Sequence, residues 1–187
     1  MLALQGDFEA HSQALARAGA GPALARTAAD LNDLDGLVIP GGESTTMLKL
    51  MGLENLFEPL ADFGRRKPIF GTCAGAILLA SEVTHPAQQS LGLMDLTVER
   101  NGYGRQIESR VAHVSPSQEF ERRAGSGELE TVFIRAPIIR RVGRDATVLA
   151  TYEGDPVLVE QGRHLVATFH PELSADTRVH DLFLSKL

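Results

Sequence analysis

Cysteine is nearly absent from this chain: among 187 residues there is one, Cys73. A single thiol makes no intramolecular disulfide and supplies no cysteine-based metal cluster. A basic excess is missing too. The formal net charge of -6 argues against a nucleic-acid partner, because phosphate binding calls for surplus Lys and Arg. The pairs Arg65-Arg66, Arg122-Arg123 and Arg140-Arg141 are dispersed and have no aromatic interleaving, so they read as solvated faces. No apolar run reaches the length of a membrane span, and no charged, apolar and small-residue leader opens the sequence. Repeats and linkers are lacking as well. The expectation is a cytoplasmic protein with no nucleic-acid or membrane partner. What is present, 43% hydrophobic and 22% charged residues, is the composition of a folded domain, and the length suits one domain over 1–187.

Along the chain, Met1 to Leu4 reads as a very short strand, followed by a helix with Phe8, Ala14, Leu15 and Ala18 on its apolar side. A second short strand is expected at Ala23 to Thr27. Leu37-Val38-Ile39 is the apolar, β-branched run of a buried parallel strand, stopped by Pro40-Gly41-Gly42. Glu43 to Thr46 offers helix caps, and Met47, Leu48, Leu50, Met51, Leu53 and Leu56 give a helical face. Pro68-Ile69-Phe70 leads into the Cys73 turn, and a helix follows over Ala76 to Ala80. To that point the order is that of a parallel sheet covered by helices. Beyond it, Leu93 to Glu99, Gln106 to Val114, Glu130 to Ile134, Thr147 to Tyr152, Pro156 to Glu160 and His164 to Phe169 read as strands. The short turns among the last three suggest hairpins. Ser115 to Glu128 is a surface loop or short helix, and a last helix is expected to be capped near Ser174, with Val179, Leu182, Phe183 and Leu187 buried.

Gly71-Thr72-Cys73-Ala74-Gly75 sits between strand and helix, the cysteine form of the G-x-S-x-G nucleophile elbow. The helix start behind it favours thiolate over thiol. The alternative is a buried cysteine that acts as a small hydrophobe. A nucleophilic thiol needs a base, and His170-Pro171-Glu172 supplies one together with an orienting carboxylate. In extended chain His170 and Glu172 project to the same side. A plain strand-ending turn is the other reading of this tripeptide. His11, His85, His113, His164 and His180 have no carboxylate in such a position and no metal-ligand spacing, so they read as surface or structural histidines. For an oxyanion, the Ala74 amide is one donor, and the Gly41-Gly42 turn, through Gly42, offers the other; an ordinary strand-to-helix turn is the alternative reading of those glycines.

These residues resemble the class I (triad) glutamine amidotransferases and, among them, the glutaminase subunits of pyridoxal 5'-phosphate synthase. The resemblance spans nearly the whole chain. It is carried by Leu2-Ala3-Leu4-Gln5-Gly6, Pro40-Gly41-Gly42-Glu43-Ser44-Thr45-Thr46, the elbow, Glu99-Arg100-Asn101-Gly102-Tyr103-Gly104-Arg105-Gln106, Phe133-Ile134-Arg135-Ala136-Pro137 and Thr168-Phe169-His170-Pro171-Glu172-Leu173. It implies a single-domain α/β fold with a mostly parallel central sheet, flanking helices and antiparallel hairpins at one side. It also implies hydrolysis of L-glutamine by Cys73, His170 and Glu172, with no cofactor and no metal. Gly42, Glu43, Ser44, Arg100, Ile134 and Arg135 are implied to hold glutamine. From the residues alone, Arg100 is a solvated charge. The implied partner is a (β/α)8-barrel synthase subunit that takes the ammonia, in an assembly of twelve copies of each. The family has a few more residues before its first strand, whereas here Met1 abuts Leu2-Ala3-Leu4. The first strand is therefore expected to be short, with consequences for docking near Gln5-Gly6. Tyr103 stands where phenylalanine is commoner. A glutaminase serving another synthase, such as the one that makes imidazole glycerol phosphate, remains open, as does a catalytically silent binding subunit.

Overall fold

The computed structural model describes residues 1–100 and 109–187. Its elements begin with α1 (Phe8–Arg17), β1 (Leu37–Ile39), α2 (Ser44–Leu53), α3 (Phe57–Arg66), β2 (Ile69–Thr72) and α4 (Ala74–Leu79). There follow β3 (Ala80–Thr84), β4 (Met94–Glu99), β5 (Arg110–Val114), α5 (Gln118–Ala124), β6 (Leu129–Phe133) and β7 (Ile138–Val142). The chain finishes with β8 (Thr147–Tyr152), β9 (Asp155–Gln161), β10 (His164–Ala167) and α6 (Arg178–Leu184).

The central sheet runs β1-β2-β10-β9-β8. β1, β2 and β10 are parallel, with Val38 beside Phe70 and Thr72 beside Ala167. Beyond β10 the strands turn antiparallel as the hairpins β10–β9 and β9–β8. The parallel side continues past β1, where the Leu2 amide donates to the Val38 carbonyl and Leu2 bridges Ala25. Successive side chains of a strand face opposite ways, and the core divides accordingly. Leu37, Ile39, Ile69 and Val166 pack with Met47 and Met51 of α2, Leu60 and Phe63 of α3, and Leu78 of α4. Val38, Phe70, Leu165 and Ala167 pack on the other face with Leu15 of α1, Phe120 of α5 and Val179, Leu182 and Phe183 of α6. Burial on both faces explains why these strands are apolar throughout rather than alternating. A three-stranded sheet, β3-β4-β7, joins the first cluster, and the β5–β6 hairpin joins the second.

Several expectations change. The strands expected at Met1 to Leu4 and Ala23 to Thr27 reduce to one bridge, Leu2 to Ala25, because past Ala25 the Arg26 and Thr27 amides turn to Asp30 Oδ2 instead of continuing the pairing. The helix expected through Leu56 stops at Leu53, since Asn55 takes a left-handed φ of 54°. A further helix, α3, then starts at Phe57; Pro59 in its first turn fits a position where no intrahelical donor is needed. Ala80 belongs to β3, not to the helix after the elbow, and β7 was not expected at all. Ser174 does not cap the last helix. It follows a 3-10 turn over Pro171–Leu173, and α6 begins at Arg178, whose amide donates to Asp176 Oδ1. Of the extended stretch expected over Gln106 to Val114, Arg110–Val114 is strand, and the part up to residue 108 lies outside the described residues. The expected loop or short helix at Ser115 to Glu128 is α5. No helix among the described residues is long and apolar enough to cross a membrane.

His164 opens β10, and its Nδ1 accepts the Ile69 amide of β2, 3.2 Å away. Burial, with the charges of Arg163 and Lys186, pushes its pKa down to about 4. The folded state therefore keeps the ring neutral while the unfolded chain protonates it near its ordinary value. Stability from this site is complete above pH ~6.5 and is lost as pH falls toward ~4, a change on the order of 2–3 kcal/mol. His164→Asn, which keeps an acceptor but does not titrate, is expected to show a correspondingly smaller loss of unfolding free energy between pH 7.5 and 4.5 in urea melts.

Candidate active site

Three parallel strands end at the same edge of the sheet. β1 runs into Pro40-Gly41-Gly42, β2 into Cys73, and β10 into Thr168-Phe169-His170. The carboxyl ends of parallel strands are where open α/β sheets bind ligands. The β2–β10 register is extended by the Cys73 amide, which donates to the Ala167 carbonyl at 2.8 Å. The His170 amide donates to the Val132 carbonyl of β6 at 2.8 Å, so the histidine backbone is fixed from a second direction.

Cys73 has φ 47° and ψ -102°, a conformation that L-residues avoid. Such a residue costs on the order of 1–3 kcal/mol and persists only where its surroundings impose it. Here glycines impose it by close packing. A Cβ on Gly71 would lie 2.5 Å from the Gly75 carbonyl group, and one on Gly75 would overlap the Ile39 carbonyl oxygen. The Ala74 amide, first in α4, has no intrahelical acceptor. Gly41 is wedged against the pair: its Cβ would come within 3.0 Å of His170 Nδ1 and 3.3 Å of Cys73 Cβ.

His170 Nδ1 donates to Glu172 Oε1 at 2.7 Å, both groups buried. That bond leaves Nε2 for the sulfur side. The pairing was expected from extended chain, but Pro171–Leu173 is a 3-10 turn, whose start suits the fixed φ of proline. Burial opposes charge on His170, yet the hydrogen bonds to Cys73 and Glu172 prevail and raise its pKa to about 10. Burial likewise opposes the Glu172 carboxylate, and hydrogen bonding from His11 and His170 prevails, lowering it to about 2. The arrangement thus favours an imidazolium between two potential anions.

In front of the thiol lies a cavity of about 320 Å3, lined by Gln5, Gly42, Glu43, Ser44, Cys73, Ile77, Arg100, Ile134, Arg135 and His170. Every residue expected to hold a substrate is on its wall. Arg100 is not a solvated charge. Its side chain is only 15% exposed, and Nη2 donates to Thr45 Oγ1 at 2.8 Å and meets Glu43 Oε1 at 3.5 Å. Glu43 caps α2, accepting the Thr45 and Thr46 amides and the Thr46 hydroxyl; the hydroxyl bond above all lowers its pKa to about 2. Arg135, at φ 45°, is a second strained residue on the wall. Asn101 to Gln106 of the subfamily segment lie outside the described residues.

Sequence reasoning missed two lining residues and one neighbour. Ile77 was read only as helix apolar surface. Gln5 accepts the Glu43 amide at 2.9 Å through its side chain, which also fills the space where a Gly42 Cβ would stand. His11, expected to lack a carboxylate, has Nε2 3.1 Å from Glu172 Oε2. Its signal was its spacing: with Phe8, Leu15 and Ala18 it falls on the inward stripe of α1.

The model of the SNO glutamine amidotransferase family matches residues 1–187. The chain belongs to that family. Pyridoxal 5'-phosphate synthase subunit PdxT of Solibacter usitatus (strain Ellin6076) is 64% identical over 187 residues, covering all of this chain and 97% of that protein. The subunit of the same name from Thermosipho africanus (strain TCF52B) is 45% identical over 97% of this chain and 94% of its own. Among solved structures, a glutamine amidotransferase superposes with a TM-score of 0.89 at 41% identity, over 99% of this chain and 96% of that one. PurLQS from Thermotoga maritima, at 16% identity and a TM-score of 0.70, over 98% of this chain and 95% of that one, shares the fold. The fold is therefore that of the class I glutamine amidotransferases, as the family resemblance implied.

Because the elbow depends on close packing, Gly75→Ala is expected to cost about 1–3 kcal/mol. The measurement is the denaturant midpoint. A midpoint equal to the parent's would show that β1 and α4 separate freely, and the packing account of the Cys73 strain would fail.

Proposed function

We propose that this chain is the glutaminase subunit of a pyridoxal 5'-phosphate synthase, hydrolysing L-glutamine to L-glutamate and ammonia and passing the ammonia to the synthase subunit. One observation carries the reading. Cys73 and His170 open onto a cavity whose wall also holds a guanidinium, Arg100, and an ionised carboxylate, Glu43. Free glutamine brings an α-carboxylate and an α-ammonium that need such partners once desolvated. Relatives at 64% and 45% identity that carry the name of a pyridoxal 5'-phosphate synthase subunit over nearly their full length support this synthase over any other.

In this reading the Cys73 thiolate attacks the side-chain amide carbon, and the Gly42 and Ala74 amides stabilise the oxyanion. Arg100 pairs with the α-carboxylate and Glu43 with the α-ammonium, while Ser44, Ile134 and Arg135 complete the wall. His170 gives its Nε2 proton to the departing nitrogen, the C–N bond breaks, and ammonia leaves a glutamyl thioester on Cys73. Neutral His170 then takes a proton from water. The hydroxide adds to the thioester, the C–S bond breaks, and glutamate departs with the thiolate restored. Glu172 holds the ring orientation throughout. The proposal includes one domain over 1–187, a cytoplasmic setting, a (β/α)8-barrel partner and the twelve-plus-twelve assembly.

Ammonia release from glutamine, measured with and without the synthase subunit, tests the reading. Release is expected to rise when the subunit is present. Cys73→Ala is expected to lose roughly 10^4-fold or more while still unfolding cooperatively. Absence of glutamine-dependent ammonia from the parent complex would sink the proposal.

A further inference from the structure

Behind the Cys73–His170–Glu172 set, on the side away from the cavity, lies a buried polar cluster that the proposed reaction does not use. His11 of α1 and His180 of α6 are both fully buried in the core. His11 Nε2 lies 2.9 Å from Thr72 Oγ1 and 3.1 Å from Glu172 Oε2, and His11 Nδ1 lies 3.1 Å from His180 Nε2. Phe70 stands edge-on to both rings, at centroid distances of 6.2 and 5.9 Å, and closes the cluster from below.

The proton placement follows from the partners. His180 is pushed down to about 3, by burial first and then by His11, so its ring carries one proton. With that proton on Nε2, it donates to His11 Nδ1, which leaves the buried His180 Nδ1 without a hydrogen. His11 then carries its own proton on Nε2, shared between the Thr72 hydroxyl and Glu172. Oε2 has no well-aligned hydrogen bond, and a buried carboxylate oxygen in that state depends on whatever donor stands beside it. The titratable groups facing this contact are His180 from α6, His170 and Glu172 from the turn after β10, and Cys73 from the elbow. Arg17, on α1, also acts on His180.

We infer that His11 is a positioning residue for the catalytic set: it holds Glu172 Oε2, so that Oε1 keeps the His170 ring turned toward Cys73. The inference rests on the reading of Cys73, His170 and Glu172 as one set. A carboxylate on a short turn has rotamer freedom, and a single hydrogen bond to the ring it orients does not fix it. The second contact, made from a different element, removes that freedom. Glutamine at position 11 places an amide N–H near the place of Nε2, whereas asparagine reaches only to the place of Nδ1. The two variants are alike in polarity and differ in reach.

The test compares the parent, His11→Gln and His11→Asn in complex with the synthase subunit. Steady-state ammonia release is measured, along with the rate at which iodoacetamide alkylates Cys73 between pH 5.5 and 8.5. His11→Asn is expected to lose kcat by roughly 10- to 100-fold with little change in KM, and to alkylate more slowly near neutral pH. His11→Gln is expected to stay within a few-fold of the parent in both measurements. Equal behaviour of the two variants, whether both active or both impaired, overturns the inference. Should asparagine abolish cooperative unfolding, the glutamine variant decides alone: kcat near the parent's sustains the inference, and a loss of about ten-fold or more removes it. A parent that releases no ammonia defeats the proposed function instead, and the alkylation rates, which need no substrate, still decide the role of His11.

Discussion

The parallel pairing of β2 with β10 is the constraint from which the site follows. Its register sets Ala167 beside Thr72, and the Cys73 amide continues the ladder onto the Ala167 carbonyl. From that point the two chains part: one turns sharply into α4, and the other runs on to His170. A shift of register by one residue would send His170 to the other face and exchange Phe70 with its neighbours between the two cores. The apolar identity of both strands, buried on both faces, makes such a shift costly. The geometry of the site and the packing of the core are here the same requirement.

A second requirement is that three backbones approach one another more closely than side chains allow. Gly75 lies against β1, Gly71 against Gly75, and Gly41 against His170 and Cys73. These contacts hold Cys73 in its strained conformation, and they bring the β1 turn alongside the thiol. The cavity wall inherits this order. Glu43 caps α2 with its carboxylate while its amide is held by Gln5, and Arg100 reaches in from the end of β4 to pair with it.

Much of this was legible in the sequence because it is written in local chemistry. The elbow glycines, the H-P-E turn and the apolar strands around them carry their meaning at short range, and all substrate-wall residues expected from the resemblance line one cavity. The misses have separate causes. Helix α3 was hidden because Leu53 and Leu56 read as one continuous helical face, whereas the left-handed Asn55 closes α2 locally, with the Leu56 amide bonded back to the Met51 carbonyl. β7 was hidden because Arg140 and Arg141 look solvated, yet they pair across the sheet with Glu99 and Asp95 of β4. His11 lies 161 residues before Glu172 in sequence, and nothing local relates them; only the packing of α1 against the turn after β10 does so.

The buried cluster also shows how the fold accommodates a charge far from water. A carboxylate in the core is tolerated when each oxygen has a donor and when the donors do not add unbalanced charge. Glu172 meets imidazole nitrogens on both sides. His170, whose pKa is raised, lies on the cavity side. His180, at the far end, is kept neutral by its burial. An apolar residue at position 11 would fill the same volume but leave Oε2 facing hydrocarbon. A histidine on the otherwise apolar inward stripe of α1 therefore has an electrostatic reason that packing alone does not supply.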